Sequence, residues 1–142
     1  MELPLRLLVA AVVVGITVPT IVSGLSAYEA QQISLQAAQA IDAVFRAAQD
    51  FYSAGGGAQT IPVDLSGGVS VRLEYVTIGD APGGSRATTG TYKLSGQPPV
   101  FLLSDPPVPM TADGGPLRLG PGRHRVLVSY PGEGPVRLAV TG

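Results

Sequence analysis

The residues able to do chemistry are few and scattered along the chain. His124 is the only histidine. It sits in RHRVLVSY (123–130) on the same alternating face as Val126 and Val128, where a structural role is the default. A general base needs a nucleophile or an orienting partner beside it, and a zinc site needs several ligands. Cysteine is absent, which excludes disulfides, thiolate metal sites and cysteine nucleophiles. The ten carboxylates are dispersed. Asp80, Asp105 and Asp113 stand beside Pro or Gly, as turn residues do. No loop spacing supports a calcium site. Gly55-Gly56-Gly57 follows a helical pattern instead of preceding one, and no GK[ST] occurs, so a phosphate-binding loop is not formed. Arg118, Arg123, Arg125 and Arg137 could make a basic patch if they share a face, but no aromatic platform accompanies them in the sequence. The formal net charge of -1 also speaks against general nucleic-acid binding. An anchored hydrolase therefore has almost no residues behind it. The expectation is a protein that is not an enzyme and has no catalytic, cofactor-binding or metal-binding residues.

The elements around these residues carry the information. No charged residue falls between Arg6 and Glu29, a gap of roughly 33 Å of helix, enough to span a hydrocarbon core. Leu5, Leu8, Val9, Val12, Val13, Ile16, Val18, Ile21, Val22 and Leu25 supply its apolar surface. Gly15, Pro19 and Gly24 are positions of a kink or of close helix packing, although Pro and Gly are also tolerated in membrane helices. The apolar run is long for a cleaved signal, and the sequence beyond it stays helical.

After Glu29 the pattern turns amphipathic. Ile33, Leu35, Ala38, Ile41, Val44, Phe45, Ala48, Phe51 and Tyr52 recur at steps of three and four, which predicts one apolar stripe. Ile41, Phe45, Ala48 and Tyr52 are the residues expected to pack the helix on the rest of the chain. The glycines at 55–57 end it.

From Thr60 the period changes to two. About six or seven strands are expected, near 60–65, 69–78, 87–95, 99–104, 116–119, 123–130 and 135–141, which reads as an antiparallel β-sandwich. In VSVRLEYV, Val69, Val71, Leu73 and Tyr75 should share the inner face. The proline-rich PPVFLLSDPPVPM (98–110) suits an edge strand or a surface loop. The expected fold is α+β: a long N-terminal helix (1–54), a Gly-rich linker (55–59) and a β-sandwich head (60–142). The head alone (55–142) is expected to fold as a soluble β monomer. The lack of Asn and Cys, with Lys93 the only lysine, leans toward a thermophile; a GC-rich genome gives the same bias.

A helix that is apolar first and amphipathic second, followed by a compact β-domain, resembles the type IV pilin superfamily. The passages AQTIPVDLSGGVSVRLEY (58–75) and LRLGPGRHRVLVSY (117–130), in a head with no cysteine loop, are most similar to archaeal adhesion pilins. The resemblance spans the chain and rests on architecture and strand texture. It implies a membrane-anchored, single-pass precursor, a prepilin peptidase, a pilus assembly machinery, and a helical homopolymer outside the cell that serves adhesion. The chain departs from the family pattern in two ways. No basic leader ending in Gly or Ala precedes Leu3. Bacterial pilins carry a glutamate at the fifth mature position, where this chain has Leu5, with Glu2 the nearest acid. The alternative is a membrane-anchored β-sandwich binding module, like an archaellum accessory or an S-layer-interacting protein. No cofactor and no nucleic-acid partner is expected.

Overall fold

A computed structural model describes the backbone of residues 2–66 and 71–141, and the side chains of Leu25, 27–66 and 71–141. The class is α+β, with one helix and two sheets that are antiparallel but for one strand pair. Helix α1 spans Glu2–Ala54. Its end follows from Gly55, whose φ of 81° lies in the left-handed region that other residues avoid. The Gly56 N–H then donates to the Phe51 carbonyl at 3.1 Å. That is the six-to-one closure of a Schellman motif, which satisfies an otherwise orphaned helix carbonyl.

Among the described residues eight strands follow: β1 (Gly57–Leu65), β2 (Leu73–Ile78), β3 (Thr89–Leu94), β4 (Val100–Leu103), β5 (Met110–Thr111), β6 (Leu117–Leu119), β7 (Gly122–Tyr130) and β8 (Val136–Val140). The first sheet has the order β1-β7-β8-β5 and the second β4-β3-β2-β6. The long β1–β7 ladder runs from Gly57 opposite Tyr130 to Leu65 opposite Gly122. Pro62 is tolerated because β1 is an edge strand, where a missing N–H breaks no central ladder.

Several expectations need correction. β1 begins at Gly57, so the linker shrinks to Gly55-Gly56 and the 55–59 assignment is too long. β5 was not anticipated. It is two residues long inside a proline-rich stretch, and it pairs with β8 in parallel, Met110 opposite Val136. The proline-rich segment is both of the things expected: β4 is an edge strand, and a loop follows it. The register of β2 against β3 shifts between Leu73 and Tyr75. A bulge inserts one residue and flips the alternation beyond it. Val76 and Ile78 therefore point inward, while Tyr75 leaves the core face on which the pattern placed it. Val69 lies outside the described residues.

One core serves the whole assembly. It joins Val63 and Leu65 of β1, Val126 and Val128 of β7, Val76 and Ile78 of β2, and Leu94 of β3 with Ile41 and Val44 of the helix. The helix is thus a third layer sharing the core of the two sheets. Without the helix, 55–142 would expose this shared core to water, which weighs against its folding by itself.

Candidate functional site

The seam between helix and head is built from small and branched side chains. Ile41 and Ala48 are fully buried, and Phe45 nearly so, as their spacing predicted. Gly90 makes their approach possible. A Cβ at that position would lie 2.6 Å from Ile41 Cγ2 and 3.1 Å from Phe45 Cζ. Tyr52 also packs on the head, as expected, but at the edge of the seam. It is 43% exposed, and its ring stacks on Tyr130 with centroids 5.2 Å apart. Ile33, Ala37, Val44 and Ala47 also face the head. Farther along, Gln49 Nε2 donates to Ser104 Oγ and to the Pro106 carbonyl, each at 3.2 Å. Ser104 Oγ donates in turn to the same carbonyl at 2.8 Å. This network ties the helix to the turn after β4.

The opposite side of the helix is different. Leu25 is 58% exposed, Tyr28 60% and Leu35 51%. At 100° per residue these three point to the side roughly opposite Ile33, Ala37, Ile41 and Ala48. Leu35, which the pattern placed in the inner stripe, belongs to this outer side, whose other positions Gln32, Gln39, Asp42, Arg46 and Asp50 are polar. Tyr28, Gln32, Ile33, Leu35, Gln36 and Gln39, together with Ser66 of the head, line a shallow cleft of about 470 Å³ between helix and head. Of the residues assigned to a filament core, only Leu25 falls among the described side chains. Leu5, Leu8, Val9, Val12, Val13, Ile16, Val18, Ile21 and Val22 lie outside them, as do Gly15, Pro19 and Gly24. Among the described residues no helix is long and apolar enough to cross a membrane, and the side chains of the apolar segment 7–24 are not among those described.

The residues weighed for chemistry stay apart. His124 Nε2 lies 2.8 Å from the Gly120 carbonyl; a carbonyl only accepts, so this nitrogen carries the proton. The contact closes the β6–β7 turn. Asp80 Oδ1 accepts from the Ala81 N–H at 2.7 Å, and Asp113 holds a φ of 46°. Both are turn roles. Among the described residues no group of three or more His, Asp or Glu could hold a metal ion. Arg123, Arg125 and Arg137 share the outer face of the first sheet, Arg125 beside inward-pointing Val126 and Arg137 between Val136 and Leu138. Arg123 reaches Asp64 only at 3.8 Å, a surface pair of small worth.

Arg118 belongs to a different face. It stands on the outer side of the second sheet, with its guanidinium 4.8 Å from the Tyr75 ring centroid. Arg86 lies 5.1 Å from the Phe101 ring on the same face. These pairings were not legible in sequence. Each joins residues from separate strands or turns, and Tyr75 reaches the outer face only through the bulge in β2.

No family model, no characterised protein and no solved structure matches this chain.

Proposed function

We propose that this chain is the structural subunit of an extracellular type IV pilus-like filament, archaeal in type, that serves surface adhesion. It has no enzymatic role. The observation that carries the reading is a group of exposed apolar side chains on the outer side of α1 between residues 25 and 35. Leu25, Tyr28 and Leu35 stand exposed on the side turned away from the head, continuing the apolar character of residues 7–24. The inner stripe is covered by the head; the exposed apolar group at 25–35 is not, and a further partner would cover it. In this reading lipid covers the N-terminal half before assembly, and neighbouring copies cover the whole helix afterwards. The finer architecture follows: a membrane-inserted and later filament-forming helix, with a β-sandwich head as the outer wall.

Contacts between copies that repeat without closing generate a helical polymer. Burial of Val, Ile and Leu stabilises such a polymer in water by about 1.5–3 kcal/mol per fully covered side chain. In a bilayer that gain is largely absent, since lipid already surrounds these groups. Removal from the membrane therefore has to be driven, which agrees with a prepilin peptidase and a pilus assembly machinery as partners.

Shearing cells, imaging the released material by electron microscopy and weighing its main protein tests this. Filaments built from this chain are expected. Retention of the chain in the membrane with no filaments would favour the second reading, a membrane-anchored binding module. The observation behind that reading is the pair of arginines mounted on aromatic rings on the head.

A further inference from the structure

The outer face of the second sheet holds a cleft of about 330 Å³ bounded by Tyr75, Thr77, Arg86, Thr91, Phe101 and Arg118. Strand register orders it. Thr77 is paired with Arg118 on one side and Thr91 on the other, and Thr91 with Phe101. At the usual spacing between strands this row is about 14 Å wide. An arginine borne on an aromatic ring stands at each end, Arg118 over Tyr75 and Arg86 over Phe101. The guanidinium–ring contact holds each planar fork in place, so less side-chain freedom is lost when an oxyanion binds. Neither arginine has a carboxylate within ion-pair distance among the described residues. The nearby Lys93 is already neutralised by Glu74 at 2.6 Å. The face thus carries two free positive charges with hydroxyls between them.

Thr91 is the telling residue. It is only 7% exposed, yet its hydroxyl makes no hydrogen bond within the described residues and is not sealed from the cleft. Thr77 also has no side-chain partner. The hydroxyl thus opens onto the cleft with its bonding capacity unused by the protein, free to exchange water for a polar group of a ligand. An apolar occupant would leave it unsatisfied.

We propose that this cleft binds an acidic polysaccharide. Carboxylate or sulfate groups on the chain meet the two guanidiniums, and sugar hydroxyls exchange hydrogen bonds with Thr77 and Thr91, which both donate and accept. Single-stranded nucleic acid fits less well: the arginines cover faces of the two rings on which bases would stack, and two charges make a weak backbone track. An acidic peptide would meet the arginines but offers few hydroxyls. The inference rests on the adhesive reading for its biological sense, while the site lies entirely on the head.

The test uses the full chain in detergent micelles with immobilised polygalacturonate and dextran sulfate. Neutral dextran, poly-glutamate and poly(dT) serve as comparisons. Saturable binding to at least one acidic polysaccharide is expected. Arg86→Gln and Arg118→Gln should each weaken it about tenfold, as loss of a charged hydrogen bond does. The double variant should abolish binding with an unchanged circular dichroism spectrum. Thr91→Val, of similar shape, should weaken it about threefold to tenfold. No binding to either polysaccharide, undiminished binding in the double variant, or equal binding to poly-glutamate or poly(dT) would overturn the proposal. Electron microscopy of cells producing the double variant separates the two readings. Normal filaments are expected from it. Polysaccharide binding by a chain that never forms filaments would remove the pilin reading and leave this site standing.

Discussion

Gly90→Ala is the sharpest probe of the seam between helix and head. The added Cβ would stand 2.6 Å from Ile41 Cγ2 and 3.1 Å from Phe45 Cζ. Both neighbours are buried in the shared core and have little room to retreat. Gly90 is not in the left-handed region, so alanine suffers no backbone strain there and restricts the unfolded chain, a gain of about 0.4–1 kcal/mol. Overpacking a filled core costs about 1–3 kcal/mol. The net expectation is a destabilisation of about 0.5–2 kcal/mol, lowering the unfolding midpoint by about 2–8 °C. Ile41→Ala alone costs about 2–5 kcal/mol, because it opens a cavity. In the double variant the new methyl partly fills that cavity, so the two effects should sum to at least about 1 kcal/mol less than their separate values. Ile41→Val is the control. It removes Cδ1, 3.6 Å from the new methyl, and keeps a methyl at Cγ2, where the clash is. It should not rescue Gly90→Ala. The assay is thermal unfolding of the full chain in detergent micelles, followed by circular dichroism. An alanine variant as stable as the parent, or equal rescue by Ile41→Val and Ile41→Ala, would refute this account of the seam.

Other perturbations separate the remaining parts. Gln49→Ala removes two hydrogen bonds to the Ser104–Pro106 turn and should cost about 1–2 kcal/mol in the same melt. Asp113→Gly should be neutral or stabilising by up to about 1 kcal/mol, since glycine adopts the φ of 46° freely. A chain of residues 55–142 should aggregate or lack a cooperative transition, while 27–142 melts cooperatively; light scattering and melting of the two distinguish these outcomes. Val13→Asp and Leu35→Asp should each abolish filaments in sheared material, and the Leu35 variant should keep the parent's melting profile.

How far the sequence carried the architecture differs by element. The helix and its end were legible because a 3.6-residue period and a glycine at its close are local signals. Most strands were legible from alternation bounded by Gly and Pro. The orientation of the helix was legible in Ile41, Phe45 and Ala48 but not at every position. With so many alanines, nothing local distinguishes Ala37 and Ala47, which face the head, from Ala38, which is half-buried. Leu35 and Ile33 read as neighbours in an apolar pattern, yet two positions along a helix nearly reverse direction. β5 is too short to show a period, and its parallel pairing with β8 is decided by the distant Val136. The arginine–aromatic face was hidden twice, once by the bulge before Tyr75 and once by the sequence separation of its partners.

The central claim is that the outer face of the helix, exposed in one copy, is covered by other copies in a filament. The chain has no cysteine, so a single introduced thiol reports on one position alone. Leu35→Cys should react readily with a maleimide in the micelle-solubilised chain, where this position is 51% exposed, and should be strongly protected in sheared filaments. Ser85→Cys, on an exposed loop of the head, should react in both forms. Equal reactivity of Leu35→Cys in filament and micelle would contradict the assembly surface assigned to this helix.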